Sequence, residues 1–198
     1  MRSRCVLVET GPKVHAGAAW PDGSIHLVQG DSSLALNSTI RALAQRGPGI
    51  IVAASQTSAA LRAALALDRI ENVHIVDCVT ALTAARPPSD SATTYLESPN
   101  LLEAMALRAQ AQMARGGRWL VVDCLSSLAD HNGLEAVAEW THTMVNQLRS
   151  RDITGAMVFN SATGEGLESA LAHHFDGVAR LPDPGLAGPV RPAGPDPR

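Results

Sequence analysis

Apolar runs of strand length alternate with helix-patterned segments through most of this chain, which confines it to a mostly parallel sheet covered on both faces. Parallel strands cannot be joined by tight turns, so each crossover supplies a helix that hides one face of the sheet. The runs fall at residues 25–29, 50–54, 73–76, 119–123, 156–159 and 178–181, with a short opening strand at 5–8. Pro21-Asp22-Gly23-Ser24 makes a turn ahead of the second run. Helices are expected at 38–45, 58–67, from Ser98-Pro99 to Arg115, at 133–150 and at 165–174. The third of these begins with serine as N-cap and proline at the first helical position. In 133–150, Leu134, Val137, Trp140, Met144, Val145 and Leu148 recur every three or four residues, so one stripe faces the core. Residues 85–95, with Pro87-Pro88 and many hydroxyl side chains, read as a loop.

A chain of 198 residues, 45% of them apolar, can bury one sizeable core but not comfortably two. Residues 23–181 form that core in this reading. They are preceded by an N-terminal segment, 1–22, and followed by a tail, 182–198, whose prolines and glycines bury little and predict disorder. The net charge of −3 gives no electrostatic basis for binding nucleic acid or an anionic membrane surface. No apolar stretch approaches the roughly 20 residues of a membrane span, and the N-terminus lacks a signal-peptide core, so a soluble cytoplasmic protein is expected. Cys5, Cys78 and Cys124 each adjoin an apolar run and read as small buried hydrophobes of a reducing compartment. The seven histidines show no metal-ligand spacing, and His173-His174 diverge if they lie on a helix. Ser126-Ser127 lacks the G-x-S-x-G setting of a nucleophile.

Two features mark where ligand chemistry belongs. The strand at 25–29 runs into Gly30 and then a helix, and Trp119-Leu120-Val121-Val122 ends on Asp123. A phosphate-cradling P-loop, G-x-x-x-x-G-K-[ST], requires backbone N–H groups freed by glycine, a lysine for the β/γ oxygens and a hydroxyl for Mg²⁺. Gly30-Asp31-Ser32-Ser33-Leu34-Ala35-Leu36-Asn37-Ser38-Thr39 lacks the second glycine and the lysine in every register. The only lysine, Lys13, lies upstream beside Gly11-Pro12.

Asp123-Cys124-Leu125-Ser126-Ser127-Leu128 resembles the "DSLSxL" Walker B segment of KaiC-like and archaeal recombinase-like members of the RecA superfamily. Tyr95-Leu96-Glu97-Ser98-Pro99-Asn100-Leu101 is similar to the entry into their preceding helix. His131 to Glu135 and Met144 to Arg149 resemble the helix that follows, and Phe175-Asp176-Gly177-Val178-Ala179-Arg180-Leu181 resembles their closing strand. The resemblance spans residues 23–181 and implies a RecA-like three-layer αβα fold, with the strands at 119–123 and 156–159 near the centre of the sheet. It also implies oligomeric assembly, with arginines such as Arg149 and Arg151 approaching a neighbouring subunit.

The departures from the family pattern bear on chemistry. Active relatives place a carboxylate after the second strand to activate water, whereas this chain has Ser55-Gln56-Thr57, and glutamine cannot take a proton. Loss of one charge-assisted hydrogen bond to phosphate costs about 1.5–3 kcal/mol, and loss of a transition-state contact another factor of about 10²–10³. The expectation is a non-catalytic, regulatory or assembly protein of KaiC-like type whose partner is itself, a related RecA-like chain or a signalling protein. A vestigial nucleotide site would comprise Gly30, Ser38, Thr39 and Asp123, with weak binding of ATP and magnesium at most and no resident cofactor or metal. The alternatives are an unconventional NTPase and a recombination accessory factor.

Overall fold

The computed structural model describes residues 20–30, 32–65, 72–83, 88, 90–160 and 165–181. The opening strand at 5–8, Lys13, Asp31 and the tail at 182–198 lie outside the described residues. Seven strands make one parallel sheet: β1 (Ile25–Gln29), β2 (Gly49–Ala53), β3 (Val73–Asp77), β4 (Thr93–Tyr95), β5 (Trp119–Val122), β6 (Thr154–Phe159) and β7 (Gly177–Arg180). Their spatial order is β4-β3-β2-β5-β6-β1-β7, and every pairing is parallel. The helices are α1 (Ser32–Leu43), α2 (Ser58–Leu65), α3 (Thr80–Thr83), α4 (Leu102–Ala114), α5 (Leu125–Asn132), α6 (Leu134–Ser150) and α7 (Glu165–Leu171).

From β1 the chain steps in one direction to β4, then returns through β5 and β6 to finish on β7. Right-handed crossovers therefore place the early and late helices on opposite faces. The two cores follow this division. One packs Leu36, Ile40, Leu43, Leu61 and Leu65 of α1 and α2 under Val28, Ile51, Ile75 and Trp119. The other packs Met105, Leu128, Trp140, Met144 and Leu171 of α4 to α7 over Leu27, Val52, Leu120 and Met157. Strands buried on both faces explain the nearly continuous apolar runs.

Five elements differ from the sequence expectation, the first being the short helix α3, unexpected at Thr80–Thr83, where Asp77 accepts from Thr80 N. Helix α1 starts at Ser32 rather than residue 38, because Ala35, Leu36, Thr39, Ile40 and Leu43 already form its buried stripe. Ser98-Pro99 does not open α4: the Ser98 hydroxyl accepts from Asn100 N at 3.1 Å in a local turn, and the helix begins at Leu102. Thr93–Tyr95, inside the expected loop, pairs with β3 as an edge strand. The expected pattern also leaves out α5, whose N-cap is the unusual Cys124, its sulfur accepting from Ser127 N at 3.4 Å. Elsewhere the agreement is close, with β1 at the expected residues and the last turn of 165–174 tightening to a 3₁₀ helix at Ala172–His174. Glycine is required at position 49, where an added Cβ would lie 1.9 Å from two carbons of the paired Trp119 indole.

Candidate functional site at the carboxyl edge of the sheet

Where neighbouring strands send their connections to opposite faces, the loops splay and leave a crevice at the carboxyl ends. This sheet has two such points, between β1 and β6 and between β2 and β5.

Asp123 fills the second. Following β5, its carboxylate is fully buried and accepts from Ala54 N on Oδ1 at 2.7 Å, and from Ser55 N and Ser55 Oγ on Oδ2 at 3.0 and 2.8 Å. Burial pushes its pKa up, while the hydrogen bonds from Ala54, Ser55 and Cys124 act against that rise. The same junction is held from the other side by Ser127, whose hydroxyl donates to Ala54 O at 2.9 Å. Ser126 is buried and its Oγ accepts from Asn160 N at 3.2 Å, tying the first turn of α5 to the residue after β6. Neither serine is presented as a nucleophile.

A second buried carboxylate, Asp77 at the end of β3, completes the set. Its Oδ1 accepts from Val79 N and Thr80 N, both at 2.8 Å, and its Oδ2 from Ser58 N at 2.6 Å and Thr80 Oγ1 at 2.5 Å. Burial pushes its pKa up, but the hydrogen bonds from Thr80 and Ser58 outweigh this and hold it below the usual carboxylate value. The loop from β2 to α2 is therefore gripped at Ala54-Ser55 by one aspartate and at Ser58 by another, with half-buried Gln56 between them. Thr57 caps α2 by accepting from Ala60 N at 3.2 Å. Asp77 was missed as a site residue in the sequence, although Asp77-Cys78-Val79-Thr80 is a legible helix-start signal.

At the other switch point, Gly30 is buried and donates its N–H to Phe159 O at 3.3 Å. A Cβ on Gly30 would meet Ala35 Cβ and Leu181 Cβ, each at 3.3 Å. Only two residues separate β1 from α1. Ser38 and Thr39 consequently sit in the interior of α1, about 9 Å along the axis from its first residue, and not at a helix N-terminus. Ser38 is exposed and Thr39 is buried. Gly30 and Asp123 thus share the carboxyl edge on opposite sides of β6, and the two hydroxyl residues lie away from it.

The remaining candidates have partners within the chain. Arg149 forms an exposed ion pair with Asp176 at 2.8 Å, and Asp176 also accepts from Ile25 N at 2.7 Å. Arg151 donates to Gln147 O at 3.3 Å. Cys78 and Cys124 are buried thiols whose pKa values are raised, first by burial and also by nearby Asp123. His142 Nδ1 lies 3.2 Å from His174 Nδ1, and the rings of His173 and His174 are 3.8 Å apart. Among the described residues, no three or more His, Cys, Asp or Glu side chains are arranged to hold a metal ion. No helix among them is long and apolar enough to cross a membrane.

The seven-stranded parallel sheet between two helical layers is a RecA-like three-layer α/β fold. It is similar to the crystal structure of the KaiC-like protein PH0186 from the hyperthermophilic archaeon Pyrococcus horikoshii OT3. The TM-score is 0.55 at 19% identity, over 82% of this chain and 74% of that one. In sequence, residues 23–181 match the model of a family described as "Family of unknown function (DUF7504)", and the chain belongs to that family. No curated protein matches it.

Proposed function

We propose that this chain is a non-catalytic, KaiC-like protein that acts as a regulatory or assembly module through protein–protein contacts. The observation that carries this reading is the state of Asp123. A carboxylate serving magnesium and nucleotide needs an oxygen facing the ligand, whereas here both oxygens are taken up by the β2–α2 loop. The rest of the edge does not fit a magnesium nucleotide either. The β1–α1 joint is two residues long and lacks lysine, and Ser55-Gln56-Thr57 offers no carboxylate base. The degenerate P-loop and the tied carboxylate support the same conclusion independently. Oligomeric RecA-type relatives support a partner that is a second copy or a related RecA-like chain.

The test is steady-state ATP hydrolysis by the purified chain, with thermal unfolding measured with and without Mg-ATP. The expected result is no turnover and no shift of the melting temperature. Turnover near ~1 s⁻¹, at the low end of ordinary enzymes, that disappears in Asp123→Ala would overturn the reading.

A further inference from the structure

One hollow on this molecule is lined by none of the residues at either switch point. It is a groove of about 800 Å³ between α4 and α6, against 460 Å³ for the hollow beside α2. We propose that this groove docks an amphipathic helix of a partner protein that presents an apolar side chain flanked by basic residues. The proposal deepens the reading above by naming one contact surface and its chemistry.

Small side chains are part of the walls: Ala104 and Ala106 on α4 and Ala136 on α6 are among the residues that line the groove. Trp140 forms the floor, and its indole Nε1 donates to Leu102 O at 2.8 Å, which fixes the ring across the two helices. A floor fixed before binding loses little freedom when a partner arrives. Leu107 stands on one wall and is 64% exposed, more than any other large apolar side chain described. Most of its apolar surface meets water in the isolated chain, and an added partner would cover that surface.

The charge on the walls selects among partners. The charged side chains that line the groove are Glu103 and Glu139, one on each helix, and neither enters an ion pair among the described residues. Two carboxylates flanking the slot repel an acidic guest and attract a basic one. The groove lining on α6 runs from Ala136 to Thr143, so about two turns of a guest helix would span about 10 Å along it. Apolar anchors at i, i+4 and i+7 suit recognition of a helix in a groove.

The test uses the full chain and two fluorescent 14-residue helical peptides, with identical leucines at i, i+4 and i+7, flanked by lysines in one and by glutamates in the other. Anisotropy titrations are run at two salt concentrations. The lysine peptide should bind at least about tenfold more tightly than its glutamate twin, and more weakly as salt rises. Leu107→Ser should weaken it about tenfold. The double variant Glu103→Gln, Glu139→Gln should remove most of its salt dependence. All three positions are on the surface, and circular dichroism confirms that the variants fold. Equal binding of both peptides, no binding of either, or indifference to Leu107→Ser would overturn the proposal. So would a doubled mass in light scattering that Leu107→Ser reverses, since the occupant would then be a second copy. Those outcomes leave the non-catalytic reading intact, because that reading fails only on ATP turnover.

Discussion

Asp123→Ala tests the central structural assignment, because a latch and a ligand-binding carboxylate respond to it in opposite ways. The substitution removes the acceptor of three donors. Ser55 is exposed and its N–H and hydroxyl can turn to water, so their loss is small. Ala54 is buried and its N–H donates to Asp123 Oδ1, and a buried donor left unpaired costs about 1–3 kcal/mol. Loss of two further bonds to a charged group adds to this, while release from burying the carboxylate subtracts. The net is a destabilisation of about 2–3 kcal/mol. For a chain of this size that lowers the melting temperature by roughly 4–12 °C. Asp123→Asn keeps one acceptor oxygen for Ala54 N and should cost about half as much. Differential scanning calorimetry of the three proteins, with and without Mg-ATP, reads all of this. Residues kept for chemistry commonly reduce stability, so a variant that melts at or above the wild-type temperature would refute the latch.

Other expectations follow from the same contacts. Asp77 has a lowered folded pKa, so its stabilisation is fully present above the ordinary carboxylate value of 3.8 and is lost as pH falls through the folded value. Unfolding free energies from urea titrations of wild type and Asp77→Asn should differ by about 2 kcal/mol near neutral pH, and the gap should narrow as pH falls below the ordinary carboxylate value of 3.8; a gap independent of pH would sink this assignment. Gly49→Ala drives a methyl into Trp119, which is fully buried and whose Nε1 donates to Gly47 O at 2.9 Å, and should lower stability by about 1–3 kcal/mol. An unchanged urea midpoint would show that the ring yields. The contact between His142 Nδ1 and His174 Nδ1 needs one N–H and one lone pair, so it breaks when both rings are protonated. Burial, then the charges of His173, His142 and Arg149, lower the pKa of His174 from 6.5. The unfolded chain therefore takes up the proton first as pH falls below that value, and this contribution to stability declines with it. An NMR titration should place the His174 midpoint below 6.5 in the wild type and nearer to it in His142→Ala.

The parts of this fold legible in the sequence were those where burial on both sides forces a nearly continuous apolar run, broken inside β1 and β3 only by His26 and His74. Strands β1, β2, β3, β5 and β6 are of this kind, and the parallel sheet follows from them. Elements held together by polar contacts were not legible. Strand β4 is Thr-Thr-Tyr, with no apolar run, and it exists because β3 offers it a ladder. Helix α5 hides behind a cysteine cap that no propensity scale rewards. The start of α1 was misplaced because Ser32, Ser33, Asn37 and Ser38 obscure a stripe that Thr39 helps to complete.

The carboxyl edge was legible in its residues but not in how they are used. Asp123 is recognisable at the tip of its strand, yet sequence cannot show whether its oxygens face outward to a ligand or sideways to a loop. That choice is made by Ser55, two residues past the end of β2, whose hydroxyl and N–H both turn to the carboxylate. A carboxylate at position 55 could not do the same, because it would set a second negative charge against a buried one. Serine at position 55 thus bears on two things together. It places no carboxylate there that could activate water, and its N–H and hydroxyl are donors that hold Asp123 as a tie between strands. Substituting Ser55→Asp should therefore destabilise the fold rather than restore a site, and a variant that gains stability with Mg-ATP would show that the edge still admits the nucleotide.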